Sequence, residues 1–378
     1  MSRLQPGLRA YFEGHIFSAD GGGSVGQDPS VNHTAMPQTD PTPLFELARG
    51  NYATELLVAA VAHFGVFGKL AAKPRSLEIL AVELGISLRP ANVLVTALRA
   101  MGTVQRRSDG ILELTPMGLE HLVPGGDFYV GDYCGLAARA PGVLALVERL
   151  RTNRPAGAGK DEDGAAFIFR EGLDSAMEQE ASARALTLAL AGRAKNVAPH
   201  VARVLDLRGV GHLLDVGGGT GLYAISLLQA NPGLTATVLD RPEVLKVAAE
   251  FSAAAGVSDR LHLVPGDMFT APFPAADAVL LSNILHDWDV AECRILVRRC
   301  AEALSSGGRL LVHDVFLDED LGGSLPVALY SAALFSLTEG RAYSAGEYRE
   351  WLGSAGLIPE GSVASTAVHC GVLTGRKP

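Results

Sequence analysis

Leu213-Leu214-Asp215-Val216-Gly217-Gly218-Gly219-Thr220-Gly221 is the stretch on which the fold turns. An apolar run ends in an acid and bends through glycines, and the apolar-periodic run Leu222 to Leu228 follows. That order reads as strand, tight loop, helix. Glycines let backbone come close to a ligand at the positive end of a helix. The spacing Asp-x-Gly-x-Gly-x-Gly differs from the Gly-x-Gly-x-x-Gly of dinucleotide-binding loops. It points away from a pyrophosphate and toward a nucleoside carrying an amino-acid tail.

Downstream runs repeat the arrangement. Thr235 to Leu239 ends at Asp240, and Leu261 to Val264 ends near Asp267. Ala278 to Leu281 ends before Ser282, Asn283 and His286, and Arg309 to Val312 ends at His313 and Asp314. Helices are expected over Tyr223 to Ala230, Pro242 to Ala255 and Val290 to Leu304. Strands alternating with helices specify an α/β fold with a doubly wound, Rossmann-like parallel sheet. Ligands bind such sheets beyond the carboxyl ends of the strands, where five runs each deliver a polar group. Asp240, about 20 residues past the glycine loop, suits ribose hydroxyls; the bland alternative is an N-cap for the helix after Pro242. Asp267 and Met268 suit an adenine amino group and ring face, against the alternative of a solvent-exposed turn acid.

On these residues the C-terminal half resembles S-adenosylmethionine-dependent methyltransferases. It is most similar to the family of plant caffeic acid O-methyltransferases and bacterial polyketide and antibiotic O-methyltransferases. The match rests on Asp215 to Gly221, Asp240-Arg241-Pro242, Gly266-Asp267-Met268-Phe269 and, most specifically, Ile284-Leu285-His286-Asp287-Trp288. It runs from about Leu44 to the C-terminus. The resemblance implies S-adenosylmethionine as methyl donor, S-adenosylhomocysteine as product, and no metal. It implies cofactor contacts from Asp215, Gly217, Gly219, Gly221, Asp240, Arg241, Asp267, Met268, Ser282 and Trp288. His286 is then the general base for an aromatic hydroxyl, and Asp314 orients it from a position where the family carries a glutamate, one methylene longer.

The chemistry supports that assignment independently. Methyl transfer from a sulfonium is an in-line displacement, so positioning dominates. A phenol has a pKa of about 10 against about 6.5 for histidine, and a histidine beside the acceptor oxygen takes its proton as transfer proceeds. The structural alternative for His286 is a histidine packed against Trp288 at a helix start. Asp287 is expected to cap the helix beginning near Asp289 or Val290. Trp288 packs on the cofactor or in the core. His313 faces either the site or the core.

One departure from the family stands out. Its plant members carry a second glutamate in a Gly-Lys-Glu-Arg-Thr-like segment, whereas this chain reads Gly340-Arg341-Ala342-Tyr343-Ser344, with Ala342 at the glutamate position. Either His286 and Asp314 suffice, or the acceptor is a carboxylate, an acidic hydroxyl or a carbon.

Before Val204 the pattern changes. Leu77 to Leu84 and Leu88 to Met101 are apolar-periodic around a Gly85-Ile86-Ser87 turn, and Val104 to Leu114 is a polar hairpin centred on Ser108-Asp109-Gly110. Helix, turn, helix and hairpin resemble a winged helix. Arg89, Arg99, Arg106 and Arg107 are the candidate phosphate contacts, but a formal net charge of −9 and no dense basic stripe argue against nucleic acid. In the family this module is a dimerisation domain, which implies a homodimer, and the apolar helix expected over Glu55 to Phe67 fits that role. The resemblance places acceptor-facing residues near Phe169, Leu173 and Met177, with Tyr330, Leu334 and Phe335 on an apolar helix, Pro326 to Leu337, as a second wall. The alternative for each is ordinary core.

The expected layout is a flexible tail over 1–40, rich in glycine and proline, a helical winged-helix and pocket domain over 41–204, and the cofactor domain over 205–378. Met36 is a candidate natural start. Apolar residues make up 48%, enough for two cores. Cys134, Cys293, Cys300 and Cys370 show no paired metal spacing and fit a reduced, cytoplasmic protein. No run is long enough to span a membrane, and the first 15 residues lack the apolar core of a signal peptide. Two rival functions remain open on sequence alone: a nicotinamide-dependent oxidoreductase, and a winged-helix regulator retaining an inactive methyltransferase domain.

Overall fold

A computed structural model describes residues 31–154 and 180–378. Phe169, Leu173, Met177 and the first 30 residues of the expected tail lie outside the described residues. The chain divides into two compact units, each assembled from separate segments. A sheet unit comprises Met1–Thr42, Gly157–Val315 and Gly346–Pro378; a helical unit comprises Pro43–Ala156 and Phe316–Ala345.

After a short helical stretch, Thr42–Leu47, the helical unit contains α1 (Asn51–Val58) and α2 (Val66–Ala72), then α3 (Leu77–Leu84) and α4 (Leu88–Ala100). The hairpin strands β1 (Val104–Arg106) and β2 (Leu112–Leu114) follow, then α5 (Pro116–Leu122) and α6 (Pro141–Thr152). Ser76 caps α3 by accepting the Ile79 amide, and Gly85 ends it at φ 68°. Helices α3 and α4 then meet at 108°, and β1 pairs antiparallel with β2. The arginines offered as phosphate contacts are engaged within the unit. Arg89 is buried and donates to the Thr338 and Gly340 carbonyls, Arg99 and Arg106 both reach the Asp320 carbonyl, and Arg107 pairs with Asp109.

The apolar segment Glu55 to Phe67 is not one helix. A single π-helical turn, Ala59–His63, follows α1, and the chain bends by 58° around Gly65 (φ 58°) before α2. Its apolar side chains Leu56, Ala59, Ala60, Phe64 and Phe67 are consumed in the unit's own core. Burial against α4 and α6 therefore accounts for an apolarity that the sequence alone left free to face a partner. Gly118 on α5 lies under the Thr103 carbonyl, and a Cβ there would sit 2.1 Å from that oxygen. Gly118→Ala is accordingly expected to destabilise the protein by roughly 3 kcal/mol through overpacking. A denaturation midpoint equal to the native one would show instead that α5 backs away freely.

The sheet unit contains α7 (Glu180–Val204), β3 (His212–Val216), α8 (Leu222–Ala230), β4 (Thr235–Asp240), α9 (Pro242–Ala254), β5 (Leu261–Pro265), β6 (Ala276–Ser282), α10 (Val290–Ala303) and β7 (Leu304–Leu317). The helical unit then takes α11 (Leu325–Leu337) and β8 (Tyr343–Ser344), and the sheet unit resumes with α12 (Ala345–Ser354), β9 (Ile358–Ser365) and β10 (Cys370–Arg376). Strand order is β5-β4-β3-β6-β7-β10-β9, parallel as far as β7 and antiparallel beyond it. Strands covered on both faces need continuous apolar runs, and Leu213, Leu214, Val216, Val238, Leu239, Val279 and Leu280 are all fully buried. The chain leaves β3 for β4 and β5 on one side, then returns to β6 on the other. The crevice past the carboxyl ends of β3 and β6 is therefore the topological switch point. At the start of the described chain, His33 is tied to α8 by its amide to the Gln229 side chain and by its carbonyl to the Ser226 hydroxyl. Among the described residues no single helix is long and apolar enough to cross a membrane.

Candidate active site

Two turns meet at the switch point. The first follows β3, with Gly217, Gly219 and Gly221 at φ 69°, 60° and 71°. These are left-handed values that disfavour side chains. Gly217 and its neighbour Gly218 also sit close against side chains. A Cβ on Gly217 would lie 2.6 Å from Ile284 Cδ1, and one on Gly218 would lie 2.6 Å from Asp215 Oδ2. The loop thus closes over Asp215 and packs against the turn after β6.

Asp240 secures the loop. Its Oδ2 accepts the Gly219 amide at 2.8 Å and its Oδ1 accepts the Arg241 amide at 2.7 Å. The helix-cap alternative for Asp240 is not what forms, because Arg241 occupies the N-cap of α9 and no side chain caps it. Asp215 has no accessible surface, and among the described residues its carboxylate oxygens have no partner closer than the weak approach of the Ala224 amide. Burial raises its pKa to about 7, Asp240 adds to the rise, and the Ala224 amide pulls weakly the other way. Burial likewise pushes the Asp240 carboxyl up. Two desolvated acids under a glycine loop fit a ligand that brings a cation and hydroxyl donors, as an amino-acid tail and a ribose would.

One strand further out, Asp267 Oδ1 accepts the Phe269 amide at 2.7 Å, and the Met268 carbonyl takes the Arg299 Nε–H at 3.0 Å. Phe269 meets the Trp288 ring edge-on at 4.7 Å, so Asp267, Met268 and Trp288 are brought to one locality.

The second turn follows β6. Asn283 adopts φ 57° and its amide donates to the His313 carbonyl. Leu285–Asp287 then forms one 3-10 turn, held from behind by the Cys293 thiol on the Leu285 and Trp288 carbonyls. His286 is 4% exposed, and its Nδ1 lies 2.5 Å from Asp314 Oδ1 on β7. An ionised carboxylate only accepts, so Nδ1 carries the proton and Nε2 keeps the lone pair. Asp314 Oδ1 also accepts the Val315 amide, and its Oδ2 accepts the Tyr348 hydroxyl at 3.0 Å. Burial alone would lower the His286 pKa, but Asp314 and Asp287 outweigh it and the net shift is upward. Burial opposes ionisation of Asp314 too, yet His286, Val315 and Tyr348 together hold it below the ordinary carboxylate range.

Asp287 corrects a sequence expectation. The cap of α10 is Asp289, whose Oδ1 accepts the Val290 amide. Asp287 instead places Oδ1 3.7 Å from His286 Nε2, where burial raises its pKa to about 6. Two acids flank the imidazole, one per nitrogen. The presence of Asp289, a second acid two residues on and nearer the helix start, was the signal that freed Asp287. His313 belongs to the core: fully buried, it lies between the Ser282 hydroxyl at 2.8 Å and the Thr366 hydroxyl at 3.2 Å. Burial pushes its pKa down to about 3, so it stays neutral. Ser282, expected at the cofactor, has its hydroxyl engaged by His313 and by the Asn283 amide.

The remaining expected positions lie in the helical unit. Ala342 is fully buried and its amide donates to the Ser331 hydroxyl. On α11, Tyr330 lies under the Arg49 guanidinium at 3.8 Å and Leu334 is buried. Phe335 is fully buried in the core cluster, with Arg89 over its ring.

A glycine loop over the buried Asp215 lies at the reversal point of this strand order, and the relatives make the chain an S-adenosylmethionine-dependent methyltransferase. The chain belongs to the O-methyltransferase family, whose O-methyltransferase domain matches residues 159–358. A 3-hydroxy-5-methyl-1-naphthoate 3-O-methyltransferase of Streptomyces sahachiroi is 39% identical over 84% of this chain and 89% of its own length. An L-tyrosine C(3)-methyltransferase of Streptomyces lavendulae is 30% identical over 89% of this chain and 92% of its own. The crystal structure of an O-methyltransferase family 2 protein from Planctomyces limnophilus DSM 3776, in complex with apigenin, shares 46% identity and a TM-score of 0.83, covering 92% of this chain and 99% of that one.

Proposed function

We propose that this enzyme methylates a hydroxyl of an aromatic, polyketide-like small molecule of secondary metabolism, with His286 as general base. The observation that carries the reading is the buried His286–Asp314 pair at 2.5 Å on the turn just past β6. S-adenosylmethionine supplies an electrophilic methyl group on its sulfonium. The glycine loop, Asp215 and Asp240 hold the tail and ribose, and Asp267, Met268 and Trp288 hold the base. Asp314 orients the imidazole so that Nε2 takes the acceptor proton, and both acids stabilise the imidazolium that forms. Proton removal rests on side chains, so the reading needs no metal. The naphthoate-methylating relative supports an aromatic hydroxyl as acceptor.

A carbon acceptor ortho to a phenolic hydroxyl is the second reading, supported by the tyrosine C-methylating relative. The same base would serve, because removing the phenolic proton also makes the ring carbon nucleophilic. Transfer of labelled methyl to a panel of hydroxynaphthoates, polycyclic phenols and simple phenols tests both, with the methylated atom located by NMR. No transfer to any hydroxylated aromatic, by protein that binds S-adenosylhomocysteine, would overturn the acceptor class.

A base must be neutral to act, and His286 titrates above its ordinary value. We therefore expect kcat/KM to rise with pH through that raised pKa and to level off above it. An activity already at its plateau well below pH 6 would count against His286. The reading is completed by a cytoplasmic homodimer formed through the helical unit, where Leu44, Leu47, Tyr133 and Leu136 are exposed. A monomer mass by light scattering would remove the dimer.

A further inference from the structure

Tyr348 has no part in the mechanism above, although it is 1% exposed and its hydroxyl is 3.0 Å from Asp314 Oδ2. It is carried on α12, where its ring meets Trp351 edge-on at 5.2 Å and 83°. Burial on this scale requires a partner for the hydroxyl, and the partner is the carboxylate that orients His286. We propose that Tyr348 is a positioning residue that locks the Asp314 carboxylate, so that the base works as a Tyr348–Asp314–His286 array. This rests on His286 being the base.

The argument is geometric. Asp314 Oδ1 is shared by two donors, His286 Nδ1 and the Val315 amide. Those two contacts fix one oxygen but leave the carboxylate free to pivot about it. The Tyr348 hydroxyl fixes the second oxygen and removes that freedom. The phenol also draws charge away from the carboxylate, which sets how strongly the imidazolium is held. The other titratable or charged groups that face His286 are His313 from β7, Asp287 from its own turn and Arg193 from α7.

The test is steady-state kinetics with a full pH profile on Tyr348→Phe, beside His286→Ala. Tyr348→Phe is expected to lower kcat about tenfold, the worth of one hydrogen bond to a charged group, with KM for S-adenosylmethionine unchanged. Its acidic limb moves to higher pH, because the carboxylate, having lost a donor, holds the imidazolium more tightly. In an Asp314→Ala background the same change leaves kcat where it was. An unshifted acidic limb, or an equal loss with and without Asp314, overturns the proposal. Should Tyr348→Phe fail to fold, fluorotyrosine placed at 348 strengthens the bond and moves the limb to lower pH; no movement is again fatal. A native rate in His286→Ala would sink the base assignment itself, whereas its collapse beside an unaffected Tyr348→Phe sinks only this inference.

Discussion

His286→Ala is expected to lower methyl transfer by roughly 10²–10⁴-fold while leaving S-adenosylhomocysteine binding essentially unchanged. The size follows from what the residue supplies. Without it a phenol must shed its proton to water during transfer, and only proximity remains. The selectivity follows from where it sits. The glycine loop, Asp215 and Asp240 make their contacts independently of the imidazole. The measurement is single-turnover transfer from labelled donor at the plateau pH, with calorimetric binding of the product. Transfer within threefold of native, about 0.7 kcal/mol, would leave proximity alone to explain catalysis.

Asp215→Asn is expected to move stability and cofactor affinity in opposite directions. The native carboxylate has a folded pKa of about 7 against 3.8 for the ordinary group. The folded protein therefore holds this proton more tightly than the unfolded chain, and stability falls as pH rises between about 4 and 7. Above that window the free enzyme carries the cost of a buried anion that the Ala224 amide offsets only weakly. Asparagine removes the charge, so free protein at pH 8 should gain roughly 1–3 kcal/mol. The same change deletes the anion that would meet the cofactor's ammonium, and affinity for S-adenosylhomocysteine should drop about 10- to 100-fold. Thermal unfolding of the free protein and calorimetry at pH 8 read the two effects separately. A variant that binds as tightly as native, or that is less stable when free, would show that Asp215 serves the fold and not the ligand.

The strand ends and the glycine loop were legible because apolar runs and glycine spacing are local signals. Strand β4 was expected to end beside Asp240 and does, and α3 and the β1–β2 hairpin fell where the sequence pattern put them. Asp287 was misread because two acids precede α10 and spacing does not say which one caps; burial beside His286 decides it. Tyr348 was invisible as a participant because its contact with Asp314 spans 34 positions and depends on how α12 lies against β7. The β9–β10 hairpin carried no strong local signal: β9 is largely exposed, and β10 is held by antiparallel pairing to β7, a contact far away in sequence. The apolar stretch before Phe67 was read as one helix, and its break at the π-helical turn Ala59–His63 and at Gly65 left no mark on the apolar pattern.

The interleaving of the two units has a consequence for synthesis. The core of the helical unit needs Ala328, Leu329, Ala332 and Phe335 from α11, while the rest of that core lies before residue 156. A ribosome adding about 5–20 residues per second takes roughly 10–30 s to travel from one to the other. For that interval the nascent chain exposes an apolar seam that nothing of its own can yet cover, and the whole sheet between β3 and β7 must emerge in the meantime. Nor can the gene be divided at one point to express either unit alone, since each is spelled in more than one piece.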